Sequence, residues 1–338
     1  MLGLDIGSRT IKMVELEKAG GGYNLMASGV VAVSGIDTVN LDDEKTIASL
    51  AQVIKKLHKE AGVTSHNVAI SLPEPLVFTR TVRFPLLTDN EIASAVKWEA
   101  EQYIPIPANE AIIQHMILEK NERATPPEVV VLLVAAPRKV VERYIKITQA
   151  AGLAVTAIET ELMSLTRALA PVDKTVLLLD FGAKSADIAV AKRGMLSFSR
   201  SIPIAGEAFT RAVSQSLGVN PQAAEEYKKT YGLDTSQLEG KVKGALNPVL
   251  KMVTDEVKKA VYYYQTEEKG EAPSAVIISG GTSGMKEIIP MLTELLGIEV
   301  LIANPFSKIS IDPQTAKKLA PFAPLYAVAV GLALREND

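Results

Sequence analysis

The sequence predicts an α/β protein that contains two copies of one fold. Residues 2–15 read LGLDIGSRTIKMVE, and residues 177–190 read LLLDFGAKSADIAV. Aligning the two segments places Asp5 on Asp180. In each copy an apolar run ends in Asp, an apolar residue and Gly, and a polar turn and a second β-like run follow. A repeat at half-chain spacing indicates two related α/β domains.

A third segment supports this interpretation. Residues 275–288 (AVIISGGTSGMKEI) form a β-like run, followed by Gly280 and Gly281 and then by Ser283 at the start of a helical pattern. A strand, a glycine pair and a helix N-terminus together are a recurring way to bring the backbone against a nucleotide.

The two repeated turns have the chemistry of phosphate-binding loops. Glycine lets the backbone approach a ligand closely, and successive backbone N–H groups in a turn hold phosphate oxygens. Hydroxyl groups and cations surround both turns. The candidate residues are Gly7, Ser8, Arg9, Thr10 and Lys12 in the first copy, and Gly182, Ala183, Lys184 and Ser185 in the second.

The acidic residues at the strand ends predict a metal ion. Asp5 and Asp180 would repel phosphate unless a divalent cation stood between them. Mg²⁺ keeps much of its water and binds next to phosphates. We therefore expect a Mg-nucleotide between the two domains, held by these carboxylates through water. The alternative is that each segment is an ordinary hairpin with Asp-x-Gly as turn chemistry; the in-register repeat favours the nucleotide.

Composition excludes several classes of protein. The 338 residues are enough for two domains, and 47% hydrophobic with 22% charged residues is typical of a soluble globular protein. A net charge of −3 gives no reason to expect nucleic acid binding, and the lack of cysteine excludes disulfides and thiolate metal sites. No apolar run approaches a membrane span, and a strand is predicted almost at the N-terminus, so we expect a cytoplasmic protein without membrane insertion.

Both halves predict the element order of a ribonuclease-H-like domain, with three strands, a helix and a further strand. These elements fall at residues 2–33, 46–61 and 68–72 in the first half, and at residues 176–204, 209–217 and 275–279 in the second. A last apolar helix is predicted over 325–334.

Two insertions interrupt the halves. In the first, Thr88 and Glu91 form a capping box, and the helix that follows has Ile92, Val96 and Tyr103 on one face, with Trp98 well off that face. Prolines end this helix, and two strands and a second helix complete an α+β module. The second insertion is helical.

The three motifs resemble the two phosphate motifs and the adenosine motif of the actin-like ATPase superfamily. Within it the chain most closely resembles the PilM family of type IV pilus assembly proteins, a relative of FtsA and MreB. This resemblance rests on KWEAEQYIPIP (97–107), YKKTYG (227–232) and AVAVGLAL (327–334).

The resemblance implies an actin-like fold of duplicated ribonuclease-H-like domains with an FtsA/PilM-type inserted α+β subdomain. It also implies that the last helix returns to the first domain. The expected divisions are a first domain at 1–75, 154–171 and 321–338, an inserted subdomain at 76–153, a second domain at 172–218 and 273–320, and a helical insertion at 219–272.

The resemblance also implies ATP with Mg²⁺ as ligand. AEEYK (224–228) is similar to an Ala-Glu-x-x-Lys signature in which Glu and Lys contact ribose and adenine, so Glu225 and Lys228 are candidates. The alternative is a solvated ion pair on a helix. Hydrolysis needs a group that orients water. Glu159 and Glu161 lie in the region where actin has its glutamine, without matching a catalytic motif. Arg9 and Lys184 add positive charge near the phosphates, so we expect tight triphosphate binding and at most slow hydrolysis.

For this family the implied role is a scaffold of the inner-membrane pilus complex, together with its other components. The implied partner is the cytoplasmic N-terminal segment of PilN, bound between the first domain and the inserted subdomain, so that the chain lies peripherally at the inner face of the cytoplasmic membrane. Two other functions stay open, an FtsA-like filament-forming ATPase and a small-molecule kinase of the same superfamily. Tyr103 and Ile104 could instead be subdomain core. The candidate partner-binding residues are Trp98, Tyr103, Ile104, Pro105 and Ile106.

Overall fold

The structure, a computed structural model, describes residues 1–33, 43–107 and 109–336. Its strands are β1 (Leu2–Ile6), β2 (Thr10–Ala19), β3 (Gly22–Ala32), β4 (Asn67–Leu72), β5 (Phe78–Pro85), β6 (Ala111–Asn121), β7 (Glu128–Pro137), β8 (Ala154–Thr160), β9 (Val176–Phe181), β10 (Ala186–Lys192), β11 (Met195–Ile202), β12 (Val276–Ser279), β13 (Val300–Ile302) and β14 (Ile309–Ser310). Its helices are α1 (Glu44–Glu60), α2 (Asp89–Tyr103), α3 (Arg138–Ala150), α4 (Glu161–Leu169), α5 (Gly206–Leu217), α6 (Pro221–Tyr231), α7 (Lys241–Thr266), α8 (Ile288–Leu296), α9 (Pro313–Leu319) and α10 (Ala327–Ala333).

Two sheets repeat one topology. The first has the order β14-β3-β2-β1-β4-β8, and the second has the order β11-β10-β9-β12-β13. In both, the first strand of the repeat pairs antiparallel with the second strand and parallel with the fourth. The predicted duplication of a ribonuclease-H-like domain is therefore confirmed. The carboxyl ends of β1, β9 and β12, where ligands bind in open α/β sheets, carry the three sequence motifs.

The inserted module has a three-stranded sheet, β5-β7-β6, with α2 on one face. The capping box of α2 is present as predicted, since Thr88 and Glu91 bond reciprocally. Ile92, Val96 and Ala100 form the buried face of α2. Tyr103 lies on the same side of the helix by its position in the sequence, but it is the last residue of α2 and is 42% exposed.

Helix α3 packs away from the module. Its residues Tyr144 and Ile147 share a core with Leu50 and Ile54 of α1, under the six-stranded sheet. The predicted division at residue 153 assigns α3 to the inserted subdomain. This packing favours a boundary near Pro137, and we propose that α3 belongs to the first domain.

The second face of the module's sheet contacts the second domain. Leu132 of β7 packs in one core with Leu178 and Leu196. The Thr81 hydroxyl of β5 donates to the Ser197 carbonyl oxygen of β11 over 2.6 Å. The module therefore lies against both halves of the molecule.

The last helix packs against the sheet that contains β1. α10 packs against α4 and against β1. Glycine makes this close approach possible, because a Cβ on Gly3 would lie 2.1 Å from the Ala329 carbonyl oxygen and one on Gly331 would lie 1.9 Å from that of Ser164. Over the described ranges, no helix combines the length and the apolar character needed to cross a membrane.

Candidate functional site

The two repeated turns close with the same hydrogen bond. The Gly7 N–H donates to the Thr10 carbonyl oxygen over 3.1 Å, and the Gly182 N–H donates to the Ser185 carbonyl oxygen over 3.0 Å. A Cβ would lie 3.0 Å from that oxygen in the first turn and 2.9 Å in the second. Each turn is therefore too tight for a side chain at its glycine.

The second turn meets the start of α5. The Gly206 N–H donates to the Gly182 carbonyl oxygen over 3.1 Å, and the Glu207 N–H donates to that of Ala183 over 2.8 Å. The Thr282 hydroxyl donates to the same Gly182 oxygen over 2.9 Å. These contacts bring the second turn, the N-terminus of α5 and the third motif together at one edge of the sheet.

The third motif lies against the second acidic residue. Gly280 has φ of 78°, and a Cβ there would lie 2.6 Å from Asp180 Oδ1. The Ser279 hydroxyl donates to the same oxygen over 2.9 Å. Only glycine fits such a position, because both the backbone conformation and the space exclude a side chain.

Ser283 is placed differently from the prediction. It lies in a 3₁₀ turn, Gly281–Gly284, and the next helix begins at Ile288, so Ser283 does not open a helix. Its hydroxyl donates to the Gly280 carbonyl oxygen over 2.6 Å, which stabilises the turn. A cavity of about 770 Å³ adjoins this turn and is lined mainly by apolar side chains of α8 and of residues 302–324.

Asp5 forms a buried ion pair across the first hairpin. Lys12 Nζ lies 2.9 Å from Asp5 Oδ2, as the β1–β2 register requires. Burial lowers the pKa of Lys12, but the adjacent Asp5 carboxylate outweighs burial and leaves it raised. Asp5 Oδ1 is buried and has no hydrogen-bond partner in the described structure.

The second hairpin pairs two acids instead. Asp187 lies opposite Asp180 in the β9–β10 register, at the position that Lys12 occupies in the first hairpin. It is 3% exposed, and it accepts hydrogen bonds from the hydroxyls of Ser185 and Ser201. Burial and then the Asp180 charge raise its pKa to about 7. Sequence reasoning missed Asp187, although the internal alignment placed it directly on Lys12.

Two further carboxyl groups, those of half-buried Glu161 and buried Glu74, face this cluster. Burial, together with the charges of Asp5, Asp187 and Asp180, raises the pKa of Glu161 well above its ordinary value. Glu161 Oε2 accepts from the backbone N–H of Glu74 over 3.2 Å. Burial and then the Asp187 charge raise the pKa of Glu74 to about 8. The cluster is strongly acidic, and binding of cations there relieves the repulsion.

Glu159 faces away from the cluster and binds arginines. Its Oε1 lies 2.7 Å from Arg167 Nη2 and also accepts from Arg335, and its Oε2 accepts from Ser164 over 3.1 Å. Burial opposes ionisation, but the two guanidinium groups leave the pKa of Glu159 lowered. Arg167 also donates to the Gly331 carbonyl oxygen of α10.

Glu225 and Lys228 form a partly buried ion pair on α6, 2.7 Å apart. Lys228 Nζ also donates to the Gly206 carbonyl oxygen over 3.0 Å, at the start of α5. Burial opposes ionisation of Glu225, but bonds from Lys228 and Thr210 lower its pKa to about 2. The pair thus lies next to the second turn, where Arg9 of the first domain contacts Glu207 over 3.0 Å.

The acidic cluster suits a hydrated metal ion better than a directly bound one. Across the described residues, no three His, Asp or Glu side chains converge as ligands. The unpaired Asp5 Oδ1 and the raised pKa of Asp180, caused first by burial, both fit a nearby cation. Mg²⁺ that keeps most of its waters needs only such outer contacts.

The predicted partner-binding residues divide into two groups. Trp98 is 64% exposed, and Tyr103 lies under the Arg80 guanidinium, whose carbon is 3.8 Å from the ring centroid. Pro105 is exposed and Ile106 is half-buried. Ile104 is buried in the module core, which agrees with the alternative interpretation for this residue.

The duplicated domains, the two turns and the third motif define the class. They make this an actin-like protein with an added α+β module. The model of the family "Type IV pilus assembly protein PilM" matches residues 3–337, and the chain belongs to this family. The family recognised from the sequence is therefore confirmed.

Known proteins agree with this assignment. A solved structure of a PilM–PilN type IV pilus biogenesis complex superposes with a TM-score of 0.84 at 28% identity, covering 99% of this chain and 97% of that one. MreB5 of Spiroplasma citri bound to AMPPNP shares the fold, with a TM-score of 0.57 at 13% identity over 98% of this chain and 93% of that one. FtsA of Pseudomonas aeruginosa is 23% identical over 98% of this chain and 88% of its own length.

Proposed function

We propose that this chain is an ATP-binding scaffold of the type IV pilus inner-membrane complex and that it binds the cytoplasmic N-terminal segment of a PilN protein. The observation that carries the proposal is the meeting of two glycine turns, a third glycine motif and buried carboxylates in a PilM-family chain. Its location would be cytoplasmic and peripheral at the inner membrane, through its partner.

Different residues of the site would bind different parts of the nucleotide. The backbone N–H groups of the two turns, with Lys12 and Arg9, would bind phosphate oxygens, and Mg²⁺ would neutralise phosphate charge. Asp5 and Asp180 would hold the water ligands of that ion. Glu225, Lys228 and the third motif would lie along the nucleoside, and the adjoining cavity is within the size range of small-molecule sites. These side chains are Asp5, Ser8, Arg9, Thr10, Lys12, Asp180, Lys184, Ser185, Glu225, Lys228 and Ser283.

Slow hydrolysis follows from the acid–base state of Glu161. A general base must be ionised and must face the attacking water. Burial and the neighbouring carboxylates raise the pKa of Glu161 and so disfavour its ionised form, and we propose that it orients water rather than taking its proton. Glu159 is bound by Arg167 and Arg335, so we propose a structural role for it. We propose an ATP-binding protein with slow turnover at most.

The partner would bind on the exposed side of α2. Trp98 presents aromatic surface there, and Tyr103, 42% exposed in the last turn of α2, lies next to the stiff turn of Pro105 and Ile106. Exposed aromatic residues at such a surface often dominate binding energy. The burial of Ile104 removes it from the direct contacts and assigns it to the module core.

Calorimetric titration with a peptide copying a PilN N-terminus tests this proposal. We expect Trp98→Ala to bind the peptide at least about tenfold more weakly than the wild type, because a central aromatic contact contributes roughly 2 kcal/mol or more. Phe322→Ala, which changes an exposed aromatic residue elsewhere, serves as a matched control and should bind like the wild type. A folded Trp98→Ala variant with unchanged affinity would remove Trp98 from the site.

A further inference from the structure

A groove of about 490 Å³ runs along the C-terminal half of α7 in the second domain. Its floor and walls include Tyr262, Tyr263 and Thr266 of α7 and Arg200 of β11. Tyr262 is 69% exposed and Tyr263 is 43% exposed. Adjacent exposed tyrosines are notable because tyrosine is enriched in protein interfaces relative to the rest of the surface.

The exposure of these tyrosines follows from the helix pattern. α7 buries Val253, Val257, Ala260 and Tyr264 against the second-domain core. Tyr262 lies two positions from Tyr264, which places it on the opposite side of an α-helix. Tyr262 therefore lies on the side of α7 away from the core and is exposed to solvent.

More cations than carboxylates surround the groove. Lys258 and Lys259 project from the exposed side of α7, and Lys259 is 65% exposed at its side chain. Arg200 and Lys259 share one half-buried carboxylate, Glu256, over 2.7 and 2.6 Å. Two cations thus share one carboxylate, and Lys258 adds a third cation. Glu267 adds a carboxylate at one end.

The groove continues toward the inserted module. Tyr263 also lines a smaller cavity of about 150 Å³ between α7, β11 and β5, together with Arg80 and Phe198. Thr79 is one of the residues that line this cavity, and its hydroxyl oxygen is buried and has no hydrogen-bond partner within the described part of the chain. A buried hydroxyl without a hydrogen-bond partner raises the free energy of the folded state, and a ligand or water that bonds to it would remove this penalty.

We propose that this groove is a second docking site, for an acidic segment of another protein that carries aromatic or leucine side chains. Its carboxylates would lie over Arg200, Lys258 and Lys259, and an apolar side chain would pack between Tyr262 and Tyr263. The groove lies on α7 rather than on α2, and the proposal does not depend on PilN binding. Charge complementarity favours a short acidic peptide. A long polyanion would extend beyond the groove and would be repelled by the overall net charge of −3.

Fluorescence anisotropy of the full chain tests the proposal with a short labelled peptide in which Asp and Phe alternate. The comparison probes are the same peptide with Lys in place of Asp and a labelled single-stranded DNA. The test variant combines Lys258→Glu with Tyr262→Ser, and both positions are exposed, so the fold should tolerate the changes. Lys55→Glu, on the exposed side of α1, is the matched control.

We expect the wild type and Lys55→Glu to bind the acidic peptide equally. We also expect the double variant to bind it about tenfold or more weakly, which corresponds to about 1.4 kcal/mol. The lysine peptide should bind poorly to the wild type. Equal binding by the double variant, no binding by the wild type, or preference for the DNA would each overturn the proposal. A PilN peptide titrated into the same double variant reports separately on the proposed function.

Discussion

At the scale of single residues, close approach explains why particular amino acids stand in the three motifs. Gly280 combines a positive φ with a neighbour, Asp180 Oδ1, that leaves no room for a Cβ. The adjacent Gly281 has more space, because a Cβ there would meet only Leu325 Cδ2 within 4 Å, at 3.5 Å. The two neighbouring positions therefore differ in whether they have room for a side chain.

Gly280→Ala should destabilise the site and Gly281→Ala should not. A side chain at Gly280 costs roughly 1–3 kcal/mol in backbone strain and displaces the Asp180 carboxylate. We expect Gly280→Ala to lower the thermal midpoint and to weaken Mg-ATP binding about tenfold or more. Gly281→Ala, measured in the same thermal melts, should keep the wild-type midpoint, and an equal drop in both variants would refute this explanation.

The buried carboxyl of Glu74 predicts a pH dependence. An acid whose pKa rises on folding, here to about 8, binds more protons in the folded chain. Between the unfolded pKa, about 4.3, and pH 8, the free energy of unfolding therefore falls as pH rises. Glu74→Gln lacks this titration, so from pH 5 to pH 9 it should gain roughly 1–3 kcal/mol relative to the wild type. Urea unfolding measures this, and parallel pH curves would contradict it.

Sequence reasoning selected the glycines and the first acids of the candidate site because a repeat in register favours a shared function over turn chemistry. It missed Asp187, because its importance depends on the cross-strand register with Asp180, which is a property of the folded hairpin. It also placed Glu159 and Glu161 together as candidates. Their side chains separate because Glu159, the penultimate residue of β8, binds Arg335, 176 residues away.

At the scale of elements, helix α4 connects the C-terminal helix α10 to the candidate site. Its first residue, Glu161, faces the carboxylate cluster, and Arg167 in its last turn reaches both Glu159 and α10. The order of strands and helices followed from apolar periodicity. The packing of α3 on α1 did not, because periodicity identifies an apolar face and not the surface that covers it.

Glu159→Gln and Glu161→Gln should therefore differ in stability. Removing the Glu159 charge leaves Arg167 and Arg335 without their carboxylate, at a cost of roughly 2–4 kcal/mol. Burial and the neighbouring carboxylates disfavour the charge of Glu161 in the folded chain, so its replacement by neutral Gln should lower the free energy of unfolding by less than about 1 kcal/mol. Denaturant unfolding of the two variants measures the contrast, and equal losses would contradict the structural role of Glu159.

At the scale of the whole molecule, the inserted module connects the proposed partner surface to both domains. It carries Trp98 on one side and contacts β11 through Thr81 on the other. Arg9 and Glu207 join the two domains across the site. Binding at one place can therefore alter binding at the other, and such coupling must be reciprocal.

Calorimetric titration of the full chain with Mg-ATP, with and without a peptide copying a PilN N-terminus, tests the central claim most directly. The proposed nucleotide-binding adaptor predicts binding of both ligands, with an ATP affinity that the peptide changes. Binding of ATP without any response to the peptide would return the kinase and filament functions to consideration. Failure to bind ATP, in protein that is folded by circular dichroism, would contradict the assignment of the site.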